Sequence, residues 1–159
     1  MNLVALEVEG ISLARILTAG DPTLTLIADI GARSTAILVA QNGILKYSAQ
    51  TDFAGGSLTQ SIAGGLSINI RRAEDLKKQK GLLGSGGEYE LSTLMMPFLD
   101  VILSEVKRVL DNYEKTYSEK VERIILSGGG ANLLGIEKYT FDTLNLPTVR
   151  ADPVTKIIY

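Results

Sequence analysis

The sequence predicts an α/β domain: a mixed five-stranded sheet, three antiparallel strands and then parallel ones, flanked by helices. Three observations predict it. Two apolar runs and an Asn42-Gly43 hairpin signal crowd the N-terminal third. A long helical pattern spans Leu91 to Tyr117. A strand, VERIIL, then runs directly into Ser127-Gly128-Gly129-Gly130 and a further helix.

The elements follow in order. Residues 4–17 have the spacing of an opening helix, with Leu6, Ile11, Leu13, Ala14 and Leu17 as its apolar set, and GDPT at 20–23 is a turn. Leu24–Ala28 is a short, wholly apolar strand, and Thr35–Ala40 is a second. Asn42-Gly43 is flanked by strand formers, and a type I′ turn needs φ > 0 at both central residues, so ILKYSAQ returns as a third strand. In FAGGSLTQSIAGGL, Leu58, Ile62 and Leu66 share one helical face, with Ser57 placed to cap the start. INIRRAEDLKKQKG reads as a charged helix, and GLLGSGGEYE as a mobile connector. The helix from Leu91 to Tyr117 repeats Leu94, Phe98, Ile102, Val106, Val109 and Tyr113 at helical spacing. Pro97 should kink it or mark its true start. VERIIL at 121–126 is a fourth strand, SGGGANLLGIEKYTFDTL a glycine loop opening a helix, and 146–152 a last strand with no closing helix after it. Three antiparallel strands followed by strands alternating with helices give the ribonuclease-H-like architecture.

Composition narrows the chemistry. Of 159 residues, 45% are hydrophobic and 21% charged, enough for a real core. The net charge is −2, which argues against nucleic-acid binding, and the basic group Arg71, Arg72, Lys77, Lys78 and Lys80 is offset by Glu74 and Asp75. Cysteine and histidine are both absent, so disulfides, thiolate metal sites and every histidine-dependent nucleophilic mechanism are excluded. The N-terminal stretch lacks the basic cluster of a secretory signal, and no apolar run approaches the ~20 residues of a membrane span. A cytoplasmic location is expected.

Three stretches carry the candidate chemistry. Asp29-Ile30-Gly31-Ala32-Arg33-Ser34-Thr35 joins two adjacent strands. Gly31 is read as supplying a φ closed to other residues, with nearby amides able to approach an anion. Ser34 and Thr35 add hydroxyls, and Asp29 can hold a hydrated Mg²⁺ through water. The same residues also build plain turns. The second stretch, Ser127 to Asn132, offers more glycines at a helix start than an ordinary turn requires. The third is AEDLKK, where Glu74 and Lys77 share a helix face, as they would on any solvated charged helix.

These three features, in this order, resemble the actin-like ATPase superfamily. Asp29, Gly31 and Ser34 or Thr35 are similar to its second phosphate loop, D-x-G-x-x-T. Gly128, Gly129 and Gly130, with Asn132, are similar to its adenosine loop, and Glu74 and Lys77 to its adenosine-facing helix. VALEVEGISLARIL, DIGARSTAILVAQNGILKYSAQTDFAGGSLTQSIA, AEDLKKQKG and ILSGGGANLLGIEKY most resemble the type IV pilus assembly PilM family, a relative of the division protein FtsA.

The resemblance implies that 1–159 is a single second lobe, with the first lobe and the final helix outside it. It implies ATP and Mg²⁺ as ligands. Asp29 would serve the metal, Gly31, Ala32, Arg33, Ser34 and Thr35 the phosphates, Gly128–Gly130 the adenosine, and Glu74 and Lys77 the ribose or base. Arg33 departs from the superfamily pattern, which often has glycine there. The implied role is a scaffold of the pilus inner-membrane platform, cytoplasmic and peripheral to the inner membrane. It would be held by the cytoplasmic N-terminal peptide of a pilus membrane protein, mainly through the first lobe. Without a first phosphate loop the chain alone should be inactive as an ATPase. An FtsA-like division actin, a non-nucleotide-binding interaction module that self-associates through sheet edges, and a sugar kinase are the alternatives. A nuclease on this sheet would need converging carboxylates, and the fourth strand ends in Ile125-Leu126-Ser127 without one.

Overall fold

A computed structural model describes residues 6–82 and 89–152. The elements are α1 (Glu9–Thr18), β1 (Thr25–Ile30), β2 (Thr35–Gln41), β3 (Ile44–Thr51), α2 (Gly55–Gly65), α3 (Ile70–Lys80), α4 (Tyr89–Tyr117), β4 (Arg123–Ser127), a 3-10 turn (Gly129–Asn132), α5 (Ile136–Leu144) and β5 (Thr148–Arg150). The strands form one sheet in the order β3-β2-β1-β4-β5. β1–β2 and β2–β3 are antiparallel, whereas β1–β4 and β4–β5 are parallel, so the mixed sheet has the predicted arrangement. Asn42 and Gly43 have φ of 52° and 79°, as the β2–β3 hairpin demands.

β1 is apolar from Leu26 to Ala28 because both of its faces are covered there. Leu26, Ala28 and Ile30 join Ile37, Val39, Ile124 and Leu126 in the main core with α2 and α4. Ile27 points the other way, into a smaller core with Leu38, Ala40 and Ile125 under Ala14 and Leu17 of α1. At the edge strand β3 the register skips: Val39 pairs with Tyr47 but Ala40 with Leu45. Lys46 is left over as a bulge, which sends Tyr47 to the main core and Leu45 to the smaller one. Lys46 Nζ donates to both Glu119 carboxylate oxygens, at 2.8 and 2.9 Å, tying this edge to the chain after α4.

Several expectations need correcting. The opening helix begins at Glu9, not residue 4; Leu6 lies before it and is 86% exposed, and Ile11 is 40% exposed, because the first turn meets Leu38 and Leu45 through Gly10 instead. β1 runs on through Asp29 to Ile30, which pairs with Thr35, so tertiary pairing overrides the weak strand preference of aspartate. Ser57 is not the cap of α2. Ala54 holds that position and Ser57 lies in the first turn, where its hydroxyl accepts from the Ala54 amide at 3.5 Å. α4 passes through Pro97 as one helix, and the exposed Pro97 is not its start. Of the connector expected at 81–90, residues 83–88 lie outside the described residues, whereas Tyr89 and Glu90 already belong to α4; the expected lack of a closing helix and the chain start also lie outside the described residues.

The GDPT turn is locked to the sheet. Asp21 accepts from the Thr23 amide at 3.0 Å and from Arg123 at the head of β4 at 2.5 Å. The Thr23 amide and hydroxyl, then Arg123, hold the Asp21 carboxyl down at about 2. A depressed acid stabilises the fold above its ordinary value and loses that contribution as pH falls through its folded value. Wild type should therefore lose urea stability more steeply between pH 3.8 and about 2 than Asp21→Asn does. Parallel slopes in that window would contradict the lock. Leu126, fully buried in β4 with strands on both sides, sets the second expectation. Leu126→Ala should cost about 2–5 kcal/mol on urea melts; a loss below ~1 kcal/mol would contradict a central place in the core.

Candidate functional site

Parallel pairing puts the ends of β1 and β4 side by side, with Asp29 opposite Ser127. The loops that follow therefore leave from one rim of the sheet. A cavity of about 560 Å³ opens there, lined by Gly31, Ala32, Gly55, Gly56, Leu58, Glu74, Lys77, Lys78, Gly129, Gly130, Asn132 and Leu133. That volume suits a small-molecule ligand, which needs roughly 300–1,000 Å³. Of the residues singled out from sequence, Gly31, Ala32, Glu74, Lys77, Gly129, Gly130 and Asn132 meet on this cavity. Asp29, Arg33, Ser34, Thr35 and Gly128 do not line it.

The three consecutive glycines have different duties. Gly128 has φ +78°, and a Cβ there would lie 2.6 Å from the Ile30 carbonyl oxygen and 2.9 Å from the Asp29 carboxylate. A Cβ on Gly130 would overlap Ile30 Cγ2 at 2.3 Å. Both are close-approach positions that let the loop pack on the end of β1. A Cβ on Gly129 would meet nothing within 4 Å, so this residue faces the cavity rather than the protein. The loop then makes a 3-10 turn, and α5 starts only after Gly135, at φ +88°; the glycines do not open the α-helix directly.

The β1–β2 loop is closed by Gly31 N donating to Ser34 O at 3.0 Å. Gly31 does not occupy the left-handed region, contrary to the sequence reading. Its requirement is room, since a Cβ would lie 2.9 Å from Ser34 O. The amides of Ala32, Arg33 and Ser34 have no acceptor among the described residues. Thr35 is fully buried and its hydroxyl donates to Phe53 O at 2.7 Å, so it braces the hairpin instead of facing a ligand. Arg33 is exposed at the loop tip, with no ion pair among the described residues. Asp29 is half-buried beside Gly128 at the base of both loops.

The opposite wall is the start of α2 and the side of α3. Gly55 N donates to Gly31 O at 3.0 Å, and Gly56 N to Ala32 O at 2.8 Å. A Cβ on Gly56 would sit 2.6 Å from Ala32 O, so that glycine permits the contact. Lys77 Nζ lies 2.8 Å from Glu74 Oε2, 2.8 Å from Thr59 Oγ1 and 3.0 Å from Gly55 O. Burial pushes the Glu74 carboxyl up, but hydrogen bonds from Lys77 and Thr59 and the charges of Lys77 and Lys78 outweigh it and hold the group below its ordinary value. Past α3, Leu82 N donates to Leu134 O at 2.7 Å, closing the wall onto the glycine loop. The sequence reading missed Gly55, Gly56, Leu58, Lys78 and Leu133. The Gly-Gly before Ser57 was the available signal for a close backbone approach, while Leu58 and Leu133 look like any other core residue.

The type IV pilus assembly protein PilM family matches residues 11–159. Among solved structures, a PilM–PilN type IV pilus biogenesis complex superposes with a TM-score of 0.84 at 23% identity, covering 97% of this chain and 44% of that one. MreB 5 of Spiroplasma citri bound to AMPPNP gives 0.75 at 24%, covering 89% and 52%. The ethanolamine utilization protein EutJ of Carboxydothermus hydrogenoformans gives 0.70 at 24%, covering 88% and 47%. The fold is thus that of the actin-like proteins, and the chain spans about half the length of each.

The division of labour among the glycines is measurable. Gly128→Ala should cost about 1–3 kcal/mol on urea melts, from left-handed backbone strain together with the clash on Ile30. Gly129→Ala should be neutral or stabilising by up to about 1 kcal/mol, because its conformation accepts a Cβ. Equal losses at the two positions would mean that Gly129 is also a packing glycine.

Proposed function

The chain belongs to the type IV pilus assembly PilM family, and from that premise we propose that it is the second lobe of an actin-like protein that binds ATP at the sheet rim. The observation that carries this reading is the meeting of Gly31 with Gly129 and Gly130, nearly a hundred residues apart, on one cavity that also holds Glu74 and Lys77. The residues fit a nucleotide. Three loop amides without acceptors, with the exposed Arg33 beside them, suit phosphate oxygens. Gly129 leaves an open, flat wall for a base, and Asn132 adds an amide near it. Asp29 lies back from the cavity, at a position suited to a Mg²⁺ held through water.

One wall of such a site is open in a single lobe, so the chain alone should bind weakly and should not hydrolyse ATP. The PilM–PilN complex supports a scaffold role in which a pilus inner-membrane protein is the partner. No helix among the described residues is long and apolar enough to cross a membrane, consistent with a cytoplasmic protein held at the inner membrane by that partner. The test is an NMR titration of the full chain with Mg-ATP. Amide shifts should concentrate at 31–34 and 129–132 with weak affinity, and Gly129→Ala should reduce that affinity about tenfold or more while the fold survives. Shifts absent from both loops at saturating nucleotide, or tight binding with turnover, would overturn this reading.

A further inference from the structure

Lys77 lines the cavity, yet its chemistry is directed into the protein. A lysine ammonium has three donors. Those of Lys77 are taken by Glu74 Oε2, Thr59 Oγ1 and Gly55 O, at 2.8, 2.8 and 3.0 Å. Its side chain is only 13% exposed, against 69% for the neighbouring Lys78. The Thr59 hydroxyl, with a single hydrogen, donates to Glu74 Oε2 at 2.5 Å while accepting from Lys77. Beyond these contacts, Glu74 Oε1 lies 3.5 Å from Lys78 Nζ.

Its location is unusual for a cation. Gly55 is the first residue of α2, and the start of a helix is its positive end. A lysine there is electrostatically unfavourable unless a carboxylate accompanies it, and Glu74 does so. The first two amides of α2 are turned to the hairpin, donating to Gly31 O and Ala32 O. Lys77 therefore grips the carbonyl of the same residue whose amide grips the β1–β2 loop.

We propose that Lys77 is a positioning residue: with Glu74 and Thr59 it fixes the start of α2, and through Gly55 and Gly56 it sets the β1–β2 loop in its phosphate-accepting shape. The nucleoside is then left to the glycine loop and to Lys78. The ligand half of this inference rests on the nucleotide reading above, whereas the structural half does not.

The experiment is amide hydrogen exchange and ligand titration on the full chain carrying Lys77→Met. Gly55 and Gly56 should exchange about tenfold faster or more than in wild type, with a smaller change at Ile27 and Leu126, which report global opening. Affinity for Mg-ATP should fall about tenfold while that for adenosine is unchanged. Unchanged exchange at Gly55 and Gly56, or an equal loss for adenosine and ATP, would overturn the proposal. If wild type binds neither ligand, the nucleotide reading fails and the exchange result still decides the role of Lys77. Should Lys77→Met not fold, Thr59→Val removes one acceptor and should accelerate the same two amides.

Discussion

The site depends on the parallel pairing of β1 with β4. Parallel neighbours end at the same edge of a sheet, so whatever follows each strand is delivered to the same place. The pairs run from Thr25 with Arg123 to Asp29 with Ser127, bridging a gap of 98 residues in the chain. An antiparallel β4 would have sent Gly128–Gly130 to the far rim, beside the Asn42-Gly43 hairpin. The intervening three helices make the long crossover that a parallel return requires, and the fully buried Leu58 and Ile62 of α2 and Leu99 and Val106 of α4 join the core of the sheet.

Close approach is the second constraint. Once the strand ends are adjacent, the loops must pack nearly backbone to backbone. Gly128 and Gly130 lie against Ile30, Gly31 against Ser34, and Gly56 against Ala32, each with less room than a Cβ needs. Glycine is used here mostly for bulk, with a left-handed backbone only at Gly128 among these four. Gly129, which also lines the cavity, is the exception, with open space in front of it.

Much of this was legible in the sequence because it is written in local patterns. The Asn-Gly hairpin, the apolar runs at 24–28 and 121–126, and the helical repeat from Leu91 depend on periodicity and turn chemistry, which survive tertiary packing. The meeting of the loops was implied by the resemblance to the actin-like superfamily, not by any local pattern. What was not legible depends on contacts. Leu6 matches the periodicity of α1 but has nothing to pack on. Thr35 looks like a ligand hydroxyl until Phe53 O is found in its path. Gly55 and Gly56 read as a lead-in to a helix capped by Ser57, because their partners, the carbonyls of Gly31 and Ala32, lie on a loop more than twenty residues away. Lys77 has the spacing of a surface ion pair, and only burial and its third acceptor separate the two cases.

These contacts also decide where an anion could be held. The start of α2 faces the cavity and would ordinarily be the strongest backbone anion site nearby. Here its first two amides are spent on loop carbonyls and a lysine is tethered to its first carbonyl, so its dipole serves the protein's own frame. The 3-10 turn is too short to carry much dipole. The donors left over include the amides of Ala32, Arg33 and Ser34, and the carbonyls of Gly31 and Ala32 beside them are held from behind by α2. Pinning the carbonyls on one side of a turn fixes the peptide planes, and so aims the amides on the other. The helix whose start faces the cavity is thereby turned from a phosphate site into a support for the loop that would take that part.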